Sequence, residues 1–77
     1  MTQHTQEDIA ASRRRIEELL EEVRVAASVV EAQHKSGVVI GYAKALGDLG
    51  VLPWAECKQA LQGALLAEQQ WQPPKTS

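Results

Sequence analysis

The sequence predicts an all-α protein in which a long N-terminal helix and a short C-terminal helix form a helical hairpin, assembled as a dimeric helical bundle. Three observations support this fold class. Apolar residues recur at steps of three, four or seven along most of the chain, which is the spacing of one helix face. A Gly and then a Pro punctuate the stretch Leu46–Glu56, in the order expected where one helix ends and another begins. Ala, Glu, Gln, Leu and Val dominate the composition and aromatic residues are few, as in helices that pack on one another.

The predicted organisation is one helical domain between two disordered ends. The domain spans 6–71, the lead 1–5 and the tail 72–77, with helices at 6–36, 37–49 and 53–71. Thr5 is a candidate N-cap, because Asp8 stands three positions later and completes an approximate capping box.

An apolar seam runs along the first helix. In heptad notation its members are Ile9, Ile16, Val23 and Val30 at position a, with Leu19 and Ala26 at position d. β-branched residues at a with Leu at d favour two-stranded parallel coiled coils. Polar residues occupy two further d positions, so the seam is short and the strand direction stays open. The predicted oligomer interface consists of Ile16, Leu19, Leu20, Val23, Ala27 and Val30.

Self-association is expected because the chain is short. A monomer of 77 residues has a marginal core, and small domains usually need a disulfide, a metal or a partner chain. Cys57 is the only cysteine, so no internal disulfide can form. We therefore expect a homodimer or a higher oligomer, with another protein as a further candidate partner.

The course of the long helix is ambiguous at His34-Lys35-Ser36-Gly37. Cationic residues followed by Gly are typical of a helix C-terminus, so one alternative is a break or kink near Ser36-Gly37. The other alternative is a continuous helix, because the apolar stripe passes through this point without interruption. The small residues Gly37, Gly41 and Ala45 share one face, where we expect the C-terminal helix to approach closely.

The corner between the last two helices has a clear signature. Gly50 suits the left-handed cap of the helix that ends there, because glycine adopts positive φ without steric cost. Pro53 then suits the first turn of the next helix, where a missing N–H is harmless.

Residues around this corner also match a known pattern. They are Leu46, Leu49, Gly50, Val51, Leu52, Glu56, Leu61 and Leu65, within Ala45–Leu66. In this order they resemble the short helical hairpins of the SHOCT type found at the C-termini of many bacterial proteins. Pro53 stands where those hairpins usually have Ser or Thr, and Cys57 where they usually have an aromatic residue. The resemblance implies a capped helical hairpin that serves interaction or oligomerisation.

Catalytic and cofactor chemistry is not expected. His4, His34 and Cys57 are the only soft metal ligands, and their scattered positions do not match the paired spacing of a structural zinc site. The glycines do not form a phosphate-binding motif. We therefore predict no enzyme activity, no metal and no cofactor.

The cluster Arg13, Arg14 and Arg15 is the basis for an alternative role as a small DNA-associated regulator, because arginines on an early helix turn can lie along phosphates. Five glutamates follow on the same helix or just after it, and the net charge of the chain is −2. Nucleic acid is thus the less favoured partner. The longest apolar run is too short to span a membrane, and a single unpaired cysteine suits a reducing compartment, so we expect a cytoplasmic protein.

Trp54 and Trp71 are the remaining candidates for partner contact. In a chain so poor in aromatic residues each is expected to anchor something, either within the fold or on another protein. The predicted function is a small helical protein–protein interaction or oligomerisation module, an accessory or regulatory factor of bacterial or mobile-element origin.

Overall fold

The computed structural model describes residues 5–73 and consists of three α-helices joined by two short corners. They are α1 (Gln6–Arg24), α2 (Val29–Asp48) and α3 (Trp54–Gln70). Each helix contacts both others, and no strand occurs within residues 5–73. The all-α fold class is therefore confirmed. Residues 1–4 and 74–77, which make up most of the predicted lead and tail, lie outside the described range.

The first helix begins as its capping residues predict. The Oγ1 of Thr5 accepts a hydrogen bond from the backbone N–H of Asp8 at 3.1 Å, and the carboxylate of Asp8 accepts one from the backbone N–H of Thr5 at 3.2 Å. This reciprocal capping box satisfies two backbone donors that have no partner inside the helix.

The long N-terminal helix was expected to be continuous or to bend near Ser36-Gly37, and both alternatives are wrong. The chain breaks earlier, between Arg24 and Val29, and α2 continues through Ser36-Gly37. Ser28 caps α2, because its Oγ accepts a hydrogen bond from the backbone N–H of Glu31 at 3.1 Å. The Glu31 carboxylate in turn accepts one from the backbone N–H of Ala27 at 2.9 Å.

The second corner follows the predicted chemistry. Gly50 has a φ of 73°, the left-handed conformation in which glycine is favoured. The N–H of Gly50 donates to the carbonyl of Gly47 at 3.1 Å, and the N–H of Val51 donates to that of Leu46 at 2.9 Å. These two bonds form a Schellman motif, which satisfies the last carbonyls of α2. Pro53 differs from the prediction by one position, since it is the N-cap of α3 and the first turn begins at Trp54.

Contacts between the helices establish an up–down–up bundle. Arg13 in the first half of α1 pairs with Glu56 in the first turn of α3, and the Nε1 of Trp71 donates to the carbonyl of Ala26 at 2.9 Å at the other end. Thus α1 and α3 are parallel, and α2 is antiparallel to both.

One apolar core lies between the three helices. Its members are Ile16, Leu19, Leu20, Val23, Ala26, Ala32, Val39, Ala43, Leu46, Leu52, Cys57, Ala60, Ala64 and Ala67. The seam that predicted an oligomer interface contributes four of them. These four residues therefore pack against other helices of the same chain, and assembly through the seam stays a prediction.

Close packing of α2 on α3 depends on small side chains. The Oγ of Ser36 donates to the carbonyl of Ala64 at 3.4 Å, and Ala43 on α2 and Ala60 on α3 are both buried. Small residues let two helix backbones approach closely. Gly37, Gly41 and Ala45, which the sequence predicts to face α3, are instead exposed.

Candidate protein-interaction surface

The second helix is apolar on two opposite sides. Its inner stripe consists of Ala32, Ser36, Val39, Ala43 and Leu46, all buried. On its outer side, which also carries the exposed charged residues Lys44 and Asp48, exposed apolar or small residues and one histidine recur at helical spacing: Val30, His34, Gly37, Val38, Gly41, Ala45 and Leu49. We call this set, which ends at the C-cap of α2, the outer α2 surface. A helix of this kind differs from an ordinary surface helix, whose outer side is polar.

Large apolar side chains on this surface are well exposed to solvent. Val30 is 71% exposed, Val38 40% and Leu49 68%. Single exposed apolar residues are common on proteins, whereas larger exposed apolar patches are typical of interaction sites. Burying each such side chain contributes about 1–3 kcal/mol, depending on how much of it is covered.

Gly37 and Gly41 have no packing role within the bundle. Beyond the local helix, no heavy atom of residues 5–73 lies within 4 Å of the point where a Cβ would stand on either glycine. Both have ordinary helical conformations, since the only positive φ in that range belongs to Gly50. Glycine inside a helix costs about 1 kcal/mol relative to alanine. These two glycines therefore lower the stability of α2, and no contact among the described residues compensates for that loss.

Gly47 provides the contrast. The ring of Trp54 lies so close to it that a Cβ would collide with the ring, and the Sγ of Cys57 would be 3.2 Å away. Glycine is needed here because α3 begins against the last turn of α2. The Trp54 ring thus joins the two helices while remaining 53% exposed at the end of the bundle where α2 terminates.

Trp71 was the second candidate for partner contact. Its indole N–H is occupied by the carbonyl of Ala26, and its ring is half-buried. Its visible role is to hold the end of α3 against the corner between α1 and α2.

Two of the three arginines proposed for nucleic acid pair with glutamates. The Nε of Arg13 donates to Glu56 at 2.9 Å, and this bond lowers the pKa of the Glu56 carboxyl and raises that of Arg13. The Nη1 of Arg15 lies 3.6 Å from the carboxylate of Glu22. Arg14 is exposed beside the first of these pairs. The helix thus mixes both charge signs, and this arrangement does not add to the case for nucleic-acid binding.

A second pair connects α1 to α2. The Nζ of Lys35 donates to Glu22 at 2.9 Å, and this hydrogen bond is the main cause that lowers the pKa of Glu22 and raises that of Lys35. Lys35 is thereby directed toward α1 and away from the outer α2 surface.

The predicted oligomer interface is divided by the fold. Ile16, Leu19, Leu20 and Val23 are at most 7% exposed in the core, so a second copy could reach them only by opening the bundle. Ala27 and Val30 are exposed, and Val30 belongs to the outer α2 surface. The sequence predicted a single apolar stripe through this region, whereas α2 has two, one buried and one exposed.

Two open clefts lie elsewhere on the bundle. The larger, of about 350 Å³, lies between α1 and α3 and is lined by Arg13, Arg14, Ile16, Glu17, Leu20, Glu56, Gln59 and Ala60. Arginines and carboxylates alternate along it, so it offers no field of a single sign. The smaller, of about 320 Å³, adjoins Trp71.

Titratable groups suited to metal binding or catalysis are not assembled in the described chain. Within residues 5–73 no three His, Cys, Asp or Glu side chains come together as a potential metal site, and the predicted candidate His4 lies outside that range. Cys57 is buried, and burial raises the pKa of its thiol, which disfavours the reactive thiolate. None of the three described helices is both long and apolar enough to cross a membrane.

Comparison of the chain with protein-family models, with curated proteins and with solved structures yields no match. The resemblance of Ala45–Leu66 to SHOCT hairpins therefore rests on the residues of the corner alone.

Proposed function

We propose that this chain is a small, non-enzymatic interaction module that binds a helix of another polypeptide on the outer α2 surface. The observation that carries the proposal is the second apolar side of α2, which stays exposed after the bundle has formed. A monomeric role would be served better by a polar outer side, because exposed apolar stripes promote association. An amphipathic helix laid against such a surface is a common mode of recognition.

Packing geometry supports a helix as the bound element. Gly37 and Gly41 lie one turn apart at the middle of the surface, with Val30 and Leu49 toward its two ends. Small residues at the centre allow a close backbone approach, and larger side chains at the ends extend the contact along a ridge. Trp54 stands at the same end of the bundle as Leu49, where a rigid aromatic side chain would add an anchor.

In the cell we propose an accessory or regulatory role in the cytoplasm, of bacterial or mobile-element origin. The small size, the single buried thiol and the binding surface without any obvious catalytic group support this role.

Photo-cross-linking in cells that produce the chain tests the proposal. A benzophenone-bearing residue replaces Val38 on the outer α2 surface or, as a matched control, Leu66, which is 52% exposed on α3. We expect an adduct with a polypeptide, either a second copy or another protein, from position 38 and not from position 66. Equal yields from both positions, or none from position 38, would contradict the proposal.

A further inference from the structure

The two corners of the bundle end their helices by different means. The corner between α2 and α3 has Gly50 at positive φ and Pro53 at the N-cap of α3, so the residues themselves stop the helix. The corner between α1 and α2, residues 25–28, has neither glycine nor proline, and none of its residues has positive φ. Two of the four are alanine, the best helix former. The sequence of this corner therefore does not prevent a helix from passing through it.

Three side-chain hydrogen bonds hold this corner in its bent form. The Oγ of Ser28 accepts a hydrogen bond from the N–H of Glu31 at 3.1 Å, and the Glu31 carboxylate accepts one from the N–H of Ala27 at 2.9 Å. The third bond comes from α3, where the Nε1 of Trp71 donates to the carbonyl of Ala26 at 2.9 Å. The bend is therefore held by side chains, and one of them belongs to a different helix.

A continuous helix would satisfy the same backbone groups without these side chains. In an α-helix each N–H donates to the carbonyl four residues earlier. The N–H of Ala27 would then donate to Val23, and the N–H of Glu31 would donate to Ala27. The carbonyl of Ala26 would accept from the N–H of Val30. These backbone groups are thus hydrogen-bonded in both forms, so their bonding alone gives neither form a large advantage.

Straightening the corner would carry α1 away from its own core. The four buried members of the α1 seam are at most 7% exposed in the closed bundle, and leaving them in water costs free energy. A second copy that opens in the same way offers an identical surface of α2 and α3. Every contact of α1 with these helices can therefore form again between two chains. Domain swapping of this kind is a low-cost route to a dimer.

We propose that residues 25–28 are a hinge through which two copies of the chain exchange α1. In the exchanged dimer, residues 6–48 form one helix of about 65 Å, and the α1 of each copy packs on α2 and α3 of the other. Ser28, Glu31 and Trp71 keep the hinge closed, so they set the protein concentration at which exchange begins. The inference does not depend on the outer α2 surface.

Val29→Pro distinguishes the closed form from the exchanged one. Val29 is the first residue of α2 and is 54% exposed, and proline is favoured at this helical position. The backbone of Ser28 is extended, with φ −147° and ψ 164°, as required before a proline. Inside the long helix the same proline would clash with the carbonyl of Val25 and remove a hydrogen bond. We therefore expect Val29→Pro to fold as a monomer that cannot exchange.

Sedimentation equilibrium measures exchange on chains refolded at each concentration, because exchange requires the bundle to open. The wild-type mass should rise from 8.4 kDa toward twice that value as concentration increases. Ser28→Ala should lower the dissociation constant by roughly tenfold or more, since each dimer contains two open corners. Adding Val29→Pro to Ser28→Ala should restore the monomer, and circular dichroism checks that each variant folds. A Val29→Pro chain that dimerises like the wild type would overturn the inference, as would a Ser28→Ala chain that stays at 8.4 kDa at millimolar concentration.

Cross-linking between two different chains identifies α1 as the exchanged part. In a Cys57→Ala background, one chain contains Arg13→Cys on α1 and the other contains Glu56→Cys on α3, two positions that pair in the closed bundle. After the two chains are refolded together, a short bismaleimide should join them into a covalent heterodimer. Ser28→Ala in both chains should raise the yield, and Val29→Pro should abolish it. A yield that neither substitution changes would overturn the exchange and leave the proposed function standing.

Discussion

Gly37 and Gly50 are both glycines but differ in backbone conformation. Substitution by alanine should therefore change the stability of the fold in opposite directions at the two positions. Gly50 has positive φ at the end of α2, where a Cβ is strained. Gly37 lies inside the helix with open space where a Cβ would stand. We expect Gly50→Ala to destabilise the fold by about 1 kcal/mol and Gly37→Ala to stabilise it by a similar amount.

Urea denaturation at low protein concentration measures both changes. Similar effects of the two substitutions would show that the conformation at one of these sites differs from that described.

Ser28 caps α2 at the corner between α1 and α2. The hydroxyl of Ser28 accepts a hydrogen bond from Glu31 N–H, and losing an N-cap side chain typically costs about 1 kcal/mol. Ser28→Ala should therefore lower the free energy of unfolding by about that amount, measured by chemical denaturation. Ser28→Asp preserves the acceptor and is the matched control. An unchanged stability in Ser28→Ala would mean that the helix start is held by packing alone.

The ion pair between Arg13 of α1 and Glu56 of α3 should weaken in acid. Arg13 lowers the pKa of Glu56 in the folded state, so the folded chain binds this proton less readily than the unfolded chain. The stabilising contribution is thus present above the unfolded glutamate pKa of about 4.3 and is lost as the pH falls below it. Arg13→Gln, which removes the partner, should be less stable than wild type at pH 7, and this difference should shrink toward pH 3.

Carbon-detected NMR titration measures the pKa of Glu56 directly. The pKa of Glu56 should lie below the ordinary glutamate value in the wild type and return toward it in Arg13→Gln. The Glu56 side chain is partly exposed, so the effect on stability is small. A Glu56 pKa that is the same in both proteins would contradict the ion pair.

Local signals made some elements predictable and left others ambiguous. The capping box at Thr5 and the glycine at position 50 each act within one helical turn, and both could be predicted from neighbouring residues alone. The cap formed by Ser28 and Glu31 is equally local, yet the apolar stripe runs across it and suggested an unbroken helix. Hydrophobic periodicity records which residues share a side, but it does not show that the chain has turned back on itself between them.

The choice of side on α2 was not predictable for a related reason. Both of its sides are apolar, so the spacing alone could not decide whether Ser36 and Ala43 or Gly37 and Gly41 face the bundle. Packing decides it, because the buried side combines small residues with Val39 and Leu46 in complementary positions. The outer α2 surface, the candidate site, became visible only once the inner side had been identified.

At the scale of the whole molecule, the apolar residues fall into two groups. The seam of α1 packs in the core of the single chain, and the outer α2 surface remains exposed to solvent. The chain can therefore fold without associating. In an obligate dimer, by contrast, two chains form one core and folding cannot be separated from association.

This separation predicts different responses to concentration. Ile16→Val removes one buried methyl from the core of each chain, where the loss costs about 0.5–1.5 kcal/mol. It should lower the melting temperature by the same amount at every protein concentration. Val38→Glu leaves the core intact, so it should match the wild type in dilute solution and lose only the stability that any association through the outer α2 surface adds at high concentration. Calorimetry over a hundredfold range of concentration distinguishes the two patterns. If Ile16→Val instead abolished the concentration dependence, the seam of α1 would be the dimer contact after all, and the single-chain core would have to be abandoned.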